Sequence, residues 1–281
     1  MDYLKSKKCE RAFPKAGFFL HKFLTLLVIV VYGFFVVDGC GVRMRSRIVG
    51  GYKAAPHSWP WQVMLMTPDL RKTFCGGTLL SEFWIITASH CLDYLIEKDV
   101  VVRVGAHHRT KPNKWVQDLQ VRQIYQHPKY NDPVMFAYDV ALLQLDRPAQ
   151  LNSAVHPICL PDKNDQPGTD CTVTGWGRLG HFGLDPDYLM QVTVPIVPYS
   201  TCREIYPEEV HESMLCGGHL TGGKDACMGD SGGPYVCEHQ NRIWKLEGIV
   251  SWGYGCEWED NLGVYANVSH VREWIKSISR L

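Results

Sequence analysis

The sequence predicts an all-β protein that is exported and cross-linked by disulfide bonds. Residues 61–66, 77–80, 84–87 and 100–104 form short, mostly apolar segments separated by turn or polar residues, a pattern typical of β-sandwiches and β-barrels. These segments do not alternate with helical patterns, which argues against a βαβ fold. An apolar run near the N-terminus precedes ten of the eleven cysteines, and this order indicates an oxidising destination.

Length and charge limit the classes of function. The 281 residues suffice for one large β domain or two small ones, with an ample core. Lysine plus arginine and aspartate plus glutamate both number 29, so no overall field favours nucleic acid as a partner. The densest basic cluster lies within residues 1–39, which leaves the rest of the chain slightly acidic.

The N-terminal segment, residues 1–39, has the composition of an export signal. Its uncharged run at 23–37 is 15 residues long and follows the basic cluster. A membrane-spanning helix needs about 20 apolar residues, whereas the apolar region of a signal peptide needs about 7–15. We expect a signal peptide cleaved before Cys40. The alternative is a retained signal-anchor, and both place residues 40–281 outside the cytosol.

The ten cysteines that follow this segment form an even set, which is typical of a disulfide framework. A zinc site is disfavoured because no pair has Cys-x-x-Cys spacing, so we expect no bound metal. Cys9 precedes the apolar run and stays in the reducing cytosol if the segment is a retained anchor. The sequence alone allows many pairings of the ten.

The stretch 225–234, DACMGDSGGP, carries the strongest chemical signal. Glycine permits a crowded backbone, so Ser231 can occupy a sharp turn between Gly229 and Gly232. The N–H groups of Gly229 and Ser231 could then hold a developing oxyanion together. The alternative is an ordinary polar, glycine-rich loop. The run Gly-Asp-Ser-Gly-Gly-Pro resembles the nucleophile loop of chymotrypsin/trypsin-like serine proteases.

Two further motifs strengthen this resemblance. The segment 87–91, Thr-Ala-Ser-His-Cys, resembles the Thr-Ala-Ala-His-Cys of the family, with Ser89 in place of alanine. Asp139 begins Asp-Val-Ala-Leu-Leu, which resembles the family's Asp-Ile-Ala-Leu-Leu. Alone, His90 and Asp139 would each be read as structural residues. The order His90, Asp139, Ser231 is the chymotrypsin order of a catalytic triad, which implies that Ser231 attacks the substrate, His90 is the general base and Asp139 orients it.

The resemblance also implies specificity. Asp225 lies six residues before Ser231, where trypsin-like enzymes place the carboxylate of the primary pocket, and a buried carboxylate prefers an arginine or lysine partner. The alternative is a purely structural aspartate. Ala226 replaces a serine found in some relatives, which predicts that arginine is preferred over lysine.

Other substrate-binding positions follow from the same resemblance. Ser251, Trp252 and Gly253 resemble the segment that pairs with the substrate backbone as an extra strand. Gly253 and Gly263 fall where the family keeps the pocket walls open.

The bond Arg47–Ile48 resembles the activation bond of a zymogen, with residues 40–47 as the activation peptide and 48–281 as the protease domain. Cutting it frees the α-amine of Ile48, whose ion pair with Asp230 would order the pocket and the oxyanion donors. The alternative is an exposed basic linker before a strand. We expect activation by a trypsin-like protease or by the protein itself.

The segment 105–127 lacks the residues of a calcium site. Many trypsin-like enzymes bind calcium there through glutamates, but the matching positions are Ala106 and Val116. Calcium needs several hard oxygen ligands, so we expect neither calcium nor any cofactor. His107 and His108 are neighbours that point to opposite faces of an extended segment, and we expect both at the surface.

The resemblance implies two six-stranded antiparallel β-barrels packed together, with the site in the cleft between them, and a C-terminal helix. Apolar spacing indicates this helix over residues 268–278. Asn267 begins the only N-glycosylation sequon, which leaves glycosylation open. The implied disulfides are Cys40–Cys159, Cys75–Cys91, Cys171–Cys237, Cys202–Cys216 and Cys227–Cys256.

The functional prediction is a secreted or membrane-tethered serine endopeptidase zymogen that cleaves after arginine or lysine. Its expected partners are protein or peptide substrates, an activating protease and protein inhibitors. A membrane partner is expected only if residues 1–39 are retained, and no nucleic acid is expected. One rival is a protease-shaped binding protein without catalysis. Another is an enzyme that prefers aromatic residues, which Asp225 disfavours.

Overall fold

The computed structural model describes residues 39–43, 52–70, 72–178, 183–222, 229–255 and 259–281. Residues 40–281 form one compact unit. Among the described residues, no helix is long and apolar enough to span a membrane.

Six antiparallel strands of the first half close into a barrel in the order β2-β3-β4-β7-β6-β5. Most of their side chains are buried because one face lines the barrel and the other meets neighbouring structure; β6 alone has several exposed polar residues. Closure leaves these strands without a free edge. The strands of the first half are β1 (Tyr52–Lys53), β2 (Gln62–Met66), β3 (Thr73–Ser81), β4 (Trp84–Thr87), β5 (Val101–Val104), β6 (Gln117–Gln126) and β7 (Ala141–Leu145).

The second half forms another six-stranded barrel, because its first two strands pair with each other and close the sheet. The order is β9-β10-β13-β12-β11-β8, and β1 from the first half adds to β9. The prediction of an all-β fold with two six-stranded barrels is therefore confirmed. These strands are β8 (Asp170–Gly175), β9 (Met190–Val197), β10 (Met214–Gly217), β11 (Pro234–Glu238), β12 (Trp244–Trp252) and β13 (Gly263–Asn267).

In the described ranges, the α-helices are α1 (Tyr199–Ile205) and α2 (Arg272–Ser279). The predicted C-terminal helix exists, but it begins at 272 instead of 268. The reason is local: Oδ1 of Asn267 accepts hydrogen bonds from Oγ of Ser269 (3.2 Å) and N–H of His270 (3.2 Å), which stabilises a turn before the helix. Short 3₁₀ helices span Ser89–Leu92, Glu97–Asp99 and Gln240–Arg242.

The two barrels meet at close-packed small and polar groups. A β-carbon at Gly76 of β3 would lie 3.0 Å from Cα of Gly233, so these two backbone segments approach each other as closely as glycine allows. Oγ1 of Thr174 in β8 donates to Oε1 of Gln62 in β2 at 2.5 Å, and both side chains are buried. The junction therefore holds β3 against the residues that follow Ser231, and β2 against β8.

Four disulfide bonds lie in the described part of the chain, and they join the pairs that the resemblance implies. One of them links β3 to the 3₁₀ helix that carries His90. Another links the two adjacent strands β8 and β11. The pair Cys227–Cys256 lies outside the described residues. The four are Cys40–Cys159, Cys75–Cys91, Cys171–Cys237 and Cys202–Cys216.

Candidate active site

His90 and Asp139 are brought together by the pairing of two strands. β4 and β7 are antiparallel partners with Thr87 opposite Ala141. Because His90 follows the end of β4 and Asp139 precedes the start of β7, the two residues lie at the same end of the barrel. Nδ1 of His90 lies 2.7 Å from Oδ2 of Asp139, and the backbone N–H of His90 donates to Oδ1 at 2.9 Å. The carboxylate is fully buried, so these bonds fix the imidazole.

A third donor reaches the same carboxylate from the other barrel. Oγ of Ser251, in β12, donates to Oδ2 of Asp139 at 2.5 Å, and both side chains are buried. A buried carboxylate is costly without hydrogen bonds, and here each oxygen has at least one donor. Sequence reasoning gave Ser251 only a substrate-binding role and missed this bond, because no motif reports contacts between barrels.

Ser89, which stands where the family motif has alanine, makes a hydrogen bond of its own. Ser89 is fully buried, and its Oγ donates to the carbonyl of Val140 at 2.7 Å. Val140 follows Asp139 directly, so this bond connects the His90 loop to the Asp139 segment a second time. Alanine at position 89 would lack the hydroxyl that makes this bond.

The electrostatic surroundings of His90 favour its protonated form. Burial by itself would lower the pKa of His90, but the hydrogen bond that His90 donates to Asp139, the charge of Asp139 and the charge of Asp93 together raise this pKa above its usual value. An imidazole with a carboxylate on one nitrogen can accept a proton on the other nitrogen and remain stabilised.

Ser231 lies beside the His90 loop. The backbone N–H of Gly76 donates to the carbonyl of Ser231 at 2.7 Å. A β-carbon at Gly232 would lie 2.2 Å from Oγ1 of Thr87 and 3.2 Å from Sγ of Cys91, which flank His90 in the sequence. In the described residues no hydrogen bond joins Oγ of Ser231 to His90, and such bonds are often long before substrate binds. The structure thus brings the three predicted residues to one junction of the barrels.

The loop around Ser231 leaves two N–H groups available. Within the described ranges, the N–H groups of Gly232 and Gly233 are bonded to Val250 and Asp230, whereas those of Gly229 and Ser231 donate to no protein group. Gly229 has φ +103°, and a β-carbon there would lie 3.0 Å from Cα of Gly177. Only glycine adopts this backbone conformation readily, so Gly229 is required for the conformation of the loop before Ser231.

Asp230 is held by the segment that follows β8, around Gly177. Its Oδ1 accepts a hydrogen bond from the N–H of Gly177 at 2.8 Å. A β-carbon at Gly175 or Gly177 would clash with the carboxyl group of Asp230, so only glycine at these two positions leaves room for that carboxyl group. Arg47, Ile48 and Asp225 lie outside the described residues.

The predicted substrate-binding residues lie next to one another. Ser251 and Trp252 end β12, and Gly253 follows them. A β-carbon at Gly253 would lie 3.8 Å from Cα of Gly263 and 3.6 Å from the carbonyl of Leu262, so the two glycines face each other at ordinary contact distance.

Phe136 is a neighbour of His90 that sequence reasoning missed. Its ring centroid lies 5.7 Å from that of His90, nearly perpendicular at 80°. Oδ1 of Asn131 accepts the N–H of Phe136 at 2.7 Å and supports its left-handed backbone, φ +60°. The position just before Ala137-Tyr138-Asp139 was the available signal, because a side chain three residues from Asp139 reaches the same cleft.

The expectation for His107 is wrong. Its side chain is 7% exposed, and its ring packs against Tyr188 with centroids 5.4 Å apart. Burial, with the nearby His57, Lys53 and His108, lowers the pKa of His107 to about 4. The rings of His57 and Tyr188 pack against His107, and the alternation of an extended segment cannot predict such contacts.

Two groups of metal-ligating side chains occur among the described residues. In the first, Cys75, Cys91 and His90, both sulfur atoms belong to one disulfide bond and are not thiolate ligands. The second, Asp165, His239 and Glu247, lies away from the candidate active site.

Comparisons with known proteins agree with this geometry. The sequence model of the trypsin family, described as Trypsin, matches residues 48–275. The chain is 40% identical over 232 residues to Trypsin-3 of Homo sapiens, an alignment that covers 82% of this chain and 72% of that protein. Trypsin-2 of Salmo salar is 39% identical over 232 residues, covering 83% of this chain and 95% of its own length. Serine protease 1 of Rattus norvegicus is 40% identical over 232 residues, an alignment that covers 82% of this chain and 89% of that protein.

The family match extends over both barrels, from residue 48 into helix α2. The chain therefore belongs to the trypsin family of serine proteases and is a serine-type endopeptidase that acts on peptide bonds of proteins.

Proposed function

We propose that this endopeptidase is made as an exported zymogen and cleaves after arginine, and less efficiently after lysine, with Ser231, His90 and Asp139 as its catalytic triad. The observation that carries the proposal is the buried carboxylate of Asp139, which holds both the backbone and the ring of His90 next to the Ser231 loop. A protein that only binds its partners has no need of this arrangement.

In the proposed mechanism, Oγ of Ser231 attacks the carbonyl carbon of the substrate while Nε2 of His90 accepts the hydroxyl proton. Asp139 keeps Nδ1 protonated and stabilises the imidazolium. The N–H groups of Gly229 and Ser231 hold the oxyanion. His90 then gives its proton to the leaving amine, and a water molecule hydrolyses the acyl-enzyme by the same steps in reverse.

Specificity would come from Asp225. A carboxylate at the base of a pocket binds a guanidinium through two parallel hydrogen bonds, while an ammonium gains more from an added hydroxyl at position 226, where this chain has alanine. The two facing glycines, Gly253 and Gly263, support an open path to that pocket. Trp252 and the backbone of Ser251 would bind the substrate as an added strand.

Activation would follow cleavage of the Arg47–Ile48 bond. The new α-amine has an ordinary pKa of about 7.7–8.0 and is cationic at neutral pH. The carboxylate of Asp230, held by Gly177, is its proposed partner. This ion pair would set the position of Gly229, whose N–H is one of the oxyanion donors.

The activation peptide would stay attached after the cut. Cys40 is bonded to Cys159, and the N–H of Gly41 donates to the carbonyl of Pro157 at 2.9 Å. Arg43 lies with its guanidinium carbon 3.6 Å from the ring centroid of Trp59. Covalent, backbone and cation–π contacts thus hold the same segment.

Export rests on residues 1–39, which we propose to be a signal peptide, with a retained signal-anchor as the alternative. An activating protease and protein inhibitors are the proposed partners besides substrates. A glycan on Asn267 is the remaining modification that the sequence permits, but this side chain is buried in the folded protein.

The test uses the full chain expressed in secreting cells. N-terminal sequencing of the exported protein reports the signal cut, and treatment with a trypsin-like protease should generate a new terminus at Ile48. The cut protein should then react with an active-site serine phosphonate, whereas Ser231→Ala and uncut Arg47→Gln should not. Full activity of uncut Arg47→Gln would refute the zymogen proposal, and no labelling of the cut protein would favour a binding protein.

Matched peptide substrates with arginine, lysine or phenylalanine at the cleaved position test specificity. We expect kcat/KM to be highest for arginine. Asp225→Asn should abolish this preference, while the control Asp260→Asn, at an exposed side chain, should retain it. A preference for lysine or phenylalanine in the unaltered enzyme would contradict the proposed pocket.

A further inference from the structure

Three metal-ligating side chains converge on the second barrel, away from the catalytic residues. Asp165 belongs to the connection between the barrels, His239 lies in the turn after β11, and Glu247 is in β12. Glu247 precedes Ser251 by four residues, which is about 13 Å along a strand. The cluster, defined as Asp165, His239 and Glu247, is used by no step of the mechanism above.

The two distances from His239 are close to the edges of a zinc coordination tetrahedron. Nε2 of His239 lies 3.2 Å from Oδ2 of Asp165 and 3.3 Å from Oε1 of Glu247. The three ligand atoms all lie within 4.8 Å of one another. Ligands at about 2.0–2.2 Å from a tetrahedral zinc ion are about 3.3–3.6 Å apart. One atom at the centre could therefore be reached by all three with small side-chain shifts.

Hydrogen bonding within the protein leaves this cluster incomplete. Nε2 of His239 carries at most one proton but faces two carboxylate oxygens, and among the described residues no other group donates to either oxygen. The remaining oxygen of Glu247 accepts the N–H of Asp165 at 3.3 Å. The side chain of Glu247 is fully buried, so an uncompensated charge there is costly.

Nearby cations fill this deficit only in part, because Lys245 acts on the charge of Glu247 without forming an ion pair with it. Lys245, which precedes Glu247 by two residues, is paired with the exposed Asp162 at 3.0 Å. A divalent cation would neutralise both carboxylates and leave the imidazole as a neutral ligand. The side chains of His239 and Asp165 are 23% and 21% exposed, so the ion has a path from solvent and a fourth position for water.

We propose that Asp165, His239 and Glu247 form a binding site for a divalent transition metal of the zinc type. An imidazole with two carboxylates suits zinc, whereas calcium and magnesium need six or more oxygen ligands. The bound ion would clamp the connection between the barrels onto β12. The proposal is independent of the catalytic assignments, because none of the three residues is in the proposed catalytic or substrate-binding set.

The test uses the exported full chain carrying Ser231→Ala, which prevents self-digestion. After treatment with a chelator, zinc is titrated by calorimetry, and Co²⁺ is added as a spectroscopic probe. We expect one equivalent of zinc to bind, the visible spectrum of tetrahedral Co²⁺ to appear, and zinc to raise Tm. Calcium should do none of these.

The variants Glu247→Gln, His239→Gln and Asp165→Asn keep side-chain size and should each weaken zinc binding at least about tenfold. The control Glu238→Gln removes an exposed carboxylate next to His239 and should bind as the parent does. No zinc binding by the parent would overturn the proposal, since the imidazole and the two carboxylates would then be held together only by a shared proton. Equal binding by all four variants would overturn it as well, since the metal would lie elsewhere. The Co²⁺ spectrum of the parent decides the question if a variant fails to fold.

Discussion

Replacing Ser251 with alanine removes one of three hydrogen bonds to the carboxylate of Asp139 and leaves the backbone of residue 251 in place. The bond is short, 2.5 Å, buried, and made to a charged group. Hydrogen bonds of this kind contribute about 1.5–3 kcal/mol. Since His90 still donates twice to Asp139, we expect a loss near 1.5 kcal/mol, which lowers Tm by about 3–6 °C in a domain of this size.

The same change should alter the titration of His90. Without the donor from Ser251, more of the negative charge of Asp139 is available to the imidazolium, and the pKa of His90 should rise further above its usual value. Because the proposed mechanism needs neutral His90, the acid limb of kcat/KM should move to higher pH. A raised histidine pKa adds stability below the ordinary value, and this stability is lost as pH rises through the raised value. The Tm difference between Ser251→Ala and the parent should therefore shrink in acid.

The assay is a pH profile of kcat/KM on an arginine substrate, with thermal unfolding measured in the Ser231→Ala background. On the alkaline plateau we expect a fall of no more than about tenfold, which corresponds to about 1.4 kcal/mol. The control Ser279→Ala removes a buried hydroxyl on helix α2 and should lower Tm without moving the profile. An acid limb that stays in place, or moves to lower pH, would refute the claim that Ser251 shares the charge of Asp139.

Three further predictions concern residues around the site and at the surface. Ser89→Ala should lower stability by only about 1 kcal/mol, because the carbonyl of Val140 keeps a second donor, and kcat/KM should stay within about twofold; a tenfold fall would contradict this. Arg43→Ala should lower the thermal stability of the cut enzyme by about 0.5–2 kcal/mol through loss of the cation–π contact with Trp59, and Arg43→Lys should restore part of it. Asn267 is 5% exposed and its amide oxygen accepts two hydrogen bonds, so we expect the folded, exported protein to carry no glycan there; a mass change on enzymatic deglycosylation that Asn267→Gln abolishes would contradict this.

Short motifs predicted the architecture because each records a local constraint on the chain. Gly229 and Gly232 have positive φ, and β-carbons there would crowd Gly177 and Thr87, so the glycines of the Ser231 loop are tied to its shape. His90 and Asp139 were recognised from their neighbours in the sequence. The same motifs carry the resemblance to the trypsin family, and it is this resemblance that implied a site between two barrels.

Contacts between distant segments could not be predicted in this way. The bond from Ser251 to Asp139 spans 112 residues, and nothing in the periodicity of β12 identifies its partner. The burial of His107 depends on contacts with the rings of His57 and Tyr188. Hydrophobic patterns report which face of a strand is buried, but they do not report which polar atom of another segment meets it.

The two barrels each supply donors to one carboxylate, and this makes the relation between the barrels part of the chemistry. His90 and Asp139 come from the first barrel and Ser251 from the second, while the carbonyl of Ser231 is held by Gly76 of the first. A shift of one barrel against the other would lengthen the Ser251–Asp139 and Gly76–Ser231 bonds together. Under the proposed mechanism, substitutions at the junction that leave the proposed substrate-binding residues untouched should therefore act on kcat more than on KM, because they disturb the alignment of Ser231 and His90.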